Sequence, residues 1–183
     1  MISLKEMEIK ILNVDIEKLR FKLLKLNFKK VKQEDQINDI YDFTNKRLLA
    51  SNGYARIRSV RDQLNNLTHY YMTVKKMVSQ EKYKVMDEYE VEVLDFEESK
   101  NIYISLGLKL VKSIKKYRES YKYKDTLVEI DINDVSFCPF PYIEIESAKE
   151  EELIEVVHLL GYKIEDTTSK TMTEILRDYQ KNT

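Results

Sequence analysis

Cysteine is almost missing from this chain: Cys138 is the only one. No intrachain disulfide can form, and a reducing cytoplasm is the natural setting. Cys138 itself reads as a small buried hydrophobe rather than a nucleophile. Glycine is scarce too, with only Gly53, Gly107 and Gly161. That scarcity excludes a Gly-rich phosphate loop, so any phosphate must be gripped by side chains. The two histidines, His69 and His158, make no metal-ligand spacing. No apolar run approaches the roughly 18 residues of a membrane span, and the N-terminus has no apolar signal-peptide core. Net charge is also lacking, since 31 basic and 32 acidic residues leave −1. Nucleic-acid binders usually show a basic excess or stripe, so nucleic acid is not an expected partner.

What the chain does have is charge of both signs, interleaved. Charged residues make up 34% of the 183 positions, against about 25% in an average domain. Hydrophobic residues at 43% still allow a sizeable core. No linker, low-complexity tract or composition shift divides the chain, so residues 1–183 read as a single domain.

Period-two alternation dominates. "EMEIKIL", "NDIYDF", "YARIRSV", "HYYMTVKK", "DEYEVEV", "SIKKYRESYKY", "TLVEIDI" and "YIEIE" read as strands. "TNKRLLASNG" reads as a loop and "MVSQEKYK" as a polar stretch, and "NDVSFCPFP" as a proline-bearing loop. A turn near Lys124 and Asp125 joins two of the strands. Helical spacing appears after Asp15 and again after Asp95, each a plausible N-cap. "SAKEEELIEVVHLLGY" opens with a Ser147/Glu150 capping box, and "TMTEILRDYQ" is a last amphipathic helix. About eight strands and three or four helices with short connections predict an α+β fold, an antiparallel β-barrel with helices packed outside.

One face of strand after strand is charged. Glu6, Glu8 and Lys10 share a face of the first strand, with Met7, Ile9 and Ile11 opposite. Arg56 and Arg58, Lys75, the acids Glu88, Glu90 and Glu92, Lys116 and Arg118, Glu129 and Asp131, and Glu144 and Glu146 repeat the pattern. A solvated outer face is the plain reading of any one strand. For the set, same-face acid pairs repel unless something neutralises them. The opposite faces are apolar and suit a layer beneath helices. The charged faces then line the barrel interior, where about eight strands leave room for a small ligand. Acids there attract a hard divalent cation such as Mg2+ or Mn2+. Arginine and lysine there attract phosphate oxygens.

This combination resembles the CYTH superfamily, the triphosphate tunnel metalloenzymes. "EMEIK" has their Glu-x-Glu-x-Lys form, and "YARIR", "MTVKK", "EYEVEV", "KKYRESY", "VEIDI" and "YIEIE" follow in the family's order. The resemblance implies an eight-stranded tunnel binding a triphosphate lengthwise with divalent metal. It implies metal-site roles for Glu6, Glu8, Asp131, Glu144 and Glu146, with Asp134 a rival to Asp131. It implies a phosphate grip of Lys10, Arg56, Arg58, Lys75, Lys116 and Arg118, with Lys170 matching a basic residue near the C-terminal helix. Glu90 matches the acidic mid-tunnel strand, and with Glu6, Glu8 and Lys10 makes the implied catalytic set. Departures are "FCPFP" where many members carry Leu-Gly, and Thr171-Met172 where many carry Ser-Tyr. The His-Phe pair that precedes the motif in some class IV adenylate cyclases is absent.

The activity so implied is metal-dependent hydrolysis of a triphosphate, whether ATP, tripolyphosphate or thiamine triphosphate. The alternative is a class IV adenylate cyclase, in which the ribose 3′-hydroxyl attacks the α-phosphorus of ATP and releases pyrophosphate. A non-catalytic polyphosphate-binding module is a third reading, which the intact acid and base sets disfavour. A monomer or homodimer in the cytoplasm, with no membrane partner, completes the expectation.

Overall fold

Alternation gives each strand two chemically different faces, and closure into a barrel separates them. The computed structural model describes residues 6–182, with side chains from Met7 to Lys181. Its strands are β1 (Glu6–Leu12), β2 (Lys29–Phe43), β3 (Tyr54–Asp62), β4 (Leu67–Gln80), β5 (Lys84–Val93), β6 (Leu108–Tyr123), β7 (Thr126–Asn133) and β8 (Tyr142–Ser147). They close a barrel in the order β1-β5-β4-β3-β2-β6-β7-β8, with every neighbouring pair antiparallel. The β1–β5 seam is short, Glu6 to Glu8 against Lys84 to Met86. Lys10 of β1, past that seam, exchanges backbone hydrogen bonds with Thr168 at 2.8 and 2.9 Å.

Helices α1 (Ile16–Lys25), α2 (Arg47–Ala50), α3 (Phe96–Ser105), α4 (Glu150–Leu159) and α5 (Met172–Asn182) lie outside the barrel. Among the described residues no helix is long and apolar enough to cross a membrane. Asp15 and Asp95 cap α1 and α3 by accepting from Lys18 N and Glu98 N at 3.1 and 2.9 Å. The Ser147/Glu150 capping box does not form. Ser147 still pairs with Met7 in the sheet, and Lys149 is the N-cap of α4. The strand ladder thus outlasts the local helix signal. A reciprocal pair forms instead at α5, where Thr171 N donates to Glu174 and Glu174 N to Thr171 Oγ1.

Two segments differ from their sequence reading. The expected loop after Phe43 contains α2, held by Asp42, whose carboxylate accepts from Leu48 N and Leu49 N. The polar stretch from Met77 to Lys84 is a hairpin, with β4 running on to Gln80 and β5 starting at Lys84. A register shift between Met77 and Ser79 breaks the alternation that would mark it as strand.

The core sits outside the barrel wall. Ile9, Ile11, Val128, Ile130, Ile143 and Ile145 pack under Leu19 and Leu23 of α1 and Leu153 and Val156 of α4. Each such side chain contributes about 1.5–3 kcal/mol on burial. Tyr41, Ala55, Ile57 and Leu108 pack with Tyr103 of α3. Buried Cys138 packs with Phe140, Tyr142 and Ile175, and Leu12 and Met172 join them. This third cluster lies where β1 ends. Helices do not cover the whole outer layer: on β5, Tyr89 is 58% and Val91 59% exposed. Gly53 enters β3 so close to β4 that an added Cβ would meet Lys75 O at 2.6 Å.

Candidate active site

The charged residues that share a strand face meet inside the barrel. Ion pairs that skip a strand establish this. Arg118 of β6 reaches past β7, and its Nη2 lies 2.7 Å from Glu144 Oε2 of β8. Arg56 and Arg58 of β3 reach past β4 to Glu90 of β5, at 3.2 and 2.9 Å. Such contacts need the side chains to converge on the concave side of the wall. The residues are deeply set, with Lys10 2% and Asp131 0% exposed.

Glu8 pairs with Lys10 and Lys84, and Lys10 Nζ also lies 3.2 Å from Glu144. Asp131 is held by Arg118, Nε and Nη2 each at 2.6 Å, and by Lys116 at 2.9 Å. Arg118 also pairs with Glu129. Around β4, Lys75 pairs with Glu88 at 2.6 Å, and Thr73 Oγ1 donates to Glu90 at 2.6 Å. Among the described residues, the buried Nε donors of Arg56 and Arg58 have no hydrogen-bond partner.

Carboxylate oxygens of Glu8, Glu144 and Glu146 all lie within 4.8 Å of one another. Burial pushes the Glu8 and Glu144 carboxyls up, but the lysines outweigh it, joined by Arg118 at Glu144. Both stay below the usual carboxylate range. Glu146 differs. Burial, then Glu129 and Glu8, push it up to about 8, and Lys75 opposes them only in part. Desolvation lowers Lys84 and Lys116, helped by Lys10 and Arg118 respectively. The trio offers oxygen ligands only, and of the three only Glu146 is short of positive charge. That donor set fits a hard divalent cation.

The lumen therefore brings together Glu8, Lys10, Arg56, Arg58, Lys75, Glu90, Lys116, Arg118, Asp131, Glu144 and Glu146. The backbone of Glu6 opens β1 opposite Met86, and its side chain lies outside the described residues. Lys170 is exposed and donates to Asp178 of α5 at 2.7 Å. Asp134 is exposed on the loop after β7 and accepts from Ser136, so of the two rivals only Asp131 enters the lumen. Asp131 has its oxygens taken by Arg118 and Lys116 and stands apart from the carboxylate trio.

Sequence reasoning missed Lys84 and Tyr54. Lys84 is in phase with Glu88 and Glu90, a signal hidden by taking its segment as a polar stretch. Tyr54 precedes Arg56 by two residues, and its ring lies 5.8 Å from that guanidinium. Burial raises the Tyr54 phenol, but Lys75, Arg56 and Lys84 bring it below its ordinary value. A cavity of about 500 Å3 is lined by Asp35, Ile37, Ser59, Arg61 and Lys115 and also by Lys116 of the lumen row.

Known proteins share this fold. The CYTH domain pattern matches residues 4–172. A Methanocaldococcus jannaschii protein named as a candidate adenylate cyclase is 28% identical, covering 93% of this chain and 97% of its own. A conserved Pyrococcus furiosus protein of solved structure is 26% identical with a TM-score of 0.72, covering 91% of this chain and 96% of its own. A Hippeastrum protein, described as a candidate adenylyl cyclase with a dominant triphosphatase activity, is 15% identical with a TM-score of 0.64. The match covers 84% of each chain. The chain belongs to the CYTH domain family, the triphosphate tunnel enzymes.

Proposed function

We propose that this protein hydrolyses a triphosphate in the barrel lumen with the aid of Mg2+ or Mn2+. The observation that carries the reading is the carboxylate trio Glu8, Glu144 and Glu146, set beside a converging group of lysines and arginines. Glu8, Glu144 and Glu146 would hold the cation, with Glu6 a further candidate from the same strand face. When bound, the cation supplies Lewis-acid charge that neutralises phosphate oxygens.

Lys10, Arg56, Arg58, Lys75, Lys84, Lys116 and Arg118 bind the phosphate chain, exchanging carboxylate partners for phosphate oxygens. The unpartnered Nε donors of Arg56 and Arg58 take phosphate oxygens at no such exchange. Lys10, held protonated between Glu8 and Glu144, stabilises charge as the P–O bond breaks. Glu90 stays ionised because Arg58, Thr73 and Arg56 outweigh its burial. It accepts the proton of the attacking water once phosphate has drawn the arginines away. The single buried cysteine suits a reducing cytoplasm.

Cyclisation of ATP is the second reading, favoured by the name of the Methanocaldococcus relative that matches 93% of this chain. Phosphorus NMR of ATP, and separately of tripolyphosphate, incubated with the protein and Mg2+ tests both. Orthophosphate with ADP supports hydrolysis. Pyrophosphate with cyclic AMP replaces hydrolysis by cyclisation, and unchanged ATP and tripolyphosphate overturn both.

A further inference from the structure

The lumen has two unlike ends. Strand direction alternates around the barrel, so β4 runs parallel to β1, two positions away. The start of β4 and the end of β1 therefore lie at opposite ends. Leu12, at the end of β1, packs with Tyr142 against Met172, Ile175 and Leu176 of α5, which stoppers that end. At the other end the lumen row of β4 runs outward as Lys75, Thr73, Tyr71 and His69. Beyond Thr73 exposure rises, from 1% there to 29% for the His69 side chain.

Two aromatic rings thus stand at the end away from α5. The rings of Tyr71 and His69 are 26° from parallel with centroids 6.3 Å apart. Neither is loose. The Arg58 guanidinium lies 5.2 Å from the Tyr71 ring centroid. His69 Nδ1 lies 2.5 Å from Glu92 Oε1 of β5, which fixes the imidazole orientation. Arg58 itself belongs to the phosphate grip. A phosphate on Arg58 directs whatever it carries along β4, over Tyr71 and then His69. Two residues of strand span about 6.8 Å, the scale of a sugar and a flat ring.

We propose that Tyr71 and His69 form a ring-binding shelf that selects triphosphates carrying an aromatic heterocycle over inorganic tripolyphosphate. The inference rests on the triphosphate reading above and names the substrate class within it. Rings stack on such platforms largely irrespective of their identity, so the shelf recognises the class of nucleoside or heterocyclic triphosphates. Both side chains are already ordered by Arg58 and Glu92, so little freedom is lost when a ring arrives.

The test is calorimetric titration of the protein in Mg2+ with hydrolysis-resistant imido analogues of ATP and, separately, of tripolyphosphate, for the natural chain, Tyr71→Ala, Tyr71→Phe and His69→Ala. The readout is the ratio of the two dissociation constants, in which a loss common to both ligands, as from a disturbed Arg58, cancels. The expected result is a shift of roughly tenfold against the ATP analogue in Tyr71→Ala, equal to about 1.4 kcal/mol. His69→Ala should shift the same way, and Tyr71→Phe, which keeps the ring, should leave the ratio in place. If Tyr71→Ala fails to fold, His69→Ala carries the test. Unchanged ratios in the alanine variants overturn the shelf and leave the triphosphate reading standing. Failure of the natural chain to bind either ligand overturns both.

Discussion

Glu8 of β1 and Glu146 of β8 stand directly opposite each other in an antiparallel ladder, on the face that lines the lumen. Glu144, one repeat along, brings a third carboxylate oxygen within 4.8 Å of theirs. Like charges facing across a ladder destabilise it. Lys10 and Lys84 compensate Glu8, and burial with Glu129 and Glu8 pushes the Glu146 carboxyl up. Folding without a cation therefore works against this corner of the site.

Removing that charge should show it. At pH 9, where Glu146 is ionised, Glu146→Gln is expected to melt at or above the natural chain's temperature in the presence of chelator, because the repulsion with Glu8 is relieved. In Mg2+ the natural chain should gain stability and the variant should gain much less. Paired melts with chelator and with Mg2+ check this. An equal Mg2+ gain in both removes Glu146 from the cation site.

Arg118 carries the opposite risk. It alone joins Asp131, Glu144 and Glu129 on two strands. Among the described residues, Arg118→Met leaves Asp131 with Lys116 alone, Glu144 with Lys10 alone and Glu129 without its arginine, and the expected cost is about 3–5 kcal/mol. Adding Asp131→Asn should recover part of that loss, since one stranded charge is gone. Urea denaturation of the two single variants and the double variant measures the coupling.

Acid should loosen the outside of the barrel through Glu119. This carboxylate accepts from Arg20 of α1, Tyr117 and Tyr121, and Lys30 lies 3.2 Å away. Burial raises it, but those donors hold it down at about 2, against an ordinary 4.5. A lowered acid adds stability that is fully present above about 4.5 and is lost as pH falls toward 2. The amount is on the order of 3 kcal/mol. Denaturation midpoints from pH 6 to 2 should fall more steeply in the natural chain than in Glu119→Gln. Parallel curves would mean that the clamp of α1 on β6 does not depend on this ionisation.

Local patterns were legible where alternation is strict. "EMEIK" and "YIEIE" announce both their strand character and the charged face, and Asp15 and Asp95 announce their helices. Legibility fails where a longer-range contact decides. The shift at Met77 hides the β4–β5 hairpin and with it Lys84. Ser147 stays in the sheet because Met7 pairs with it, which no nearby residue reveals. That β1 closes on β5, with Thr168 extending the seam, is likewise a property of the whole chain. Nor does alternation show which acid goes with which base. Asp131 shares the lumen face with Glu144 and Glu146, and only the closed barrel shows that Arg118 and Lys116 hold it.

The most direct measurement is the melting temperature with tripolyphosphate and Mg2+ together, each alone, and orthophosphate with Mg2+. A metal-bound triphosphate supplies partners to both charge signs in the lumen, and it binds only the folded chain. The pair should stabilise by about 2.7 kcal/mol at 100 times its dissociation constant, well beyond either component alone or orthophosphate with Mg2+. A shift with the pair no larger than with orthophosphate would contradict a triphosphate site in this barrel.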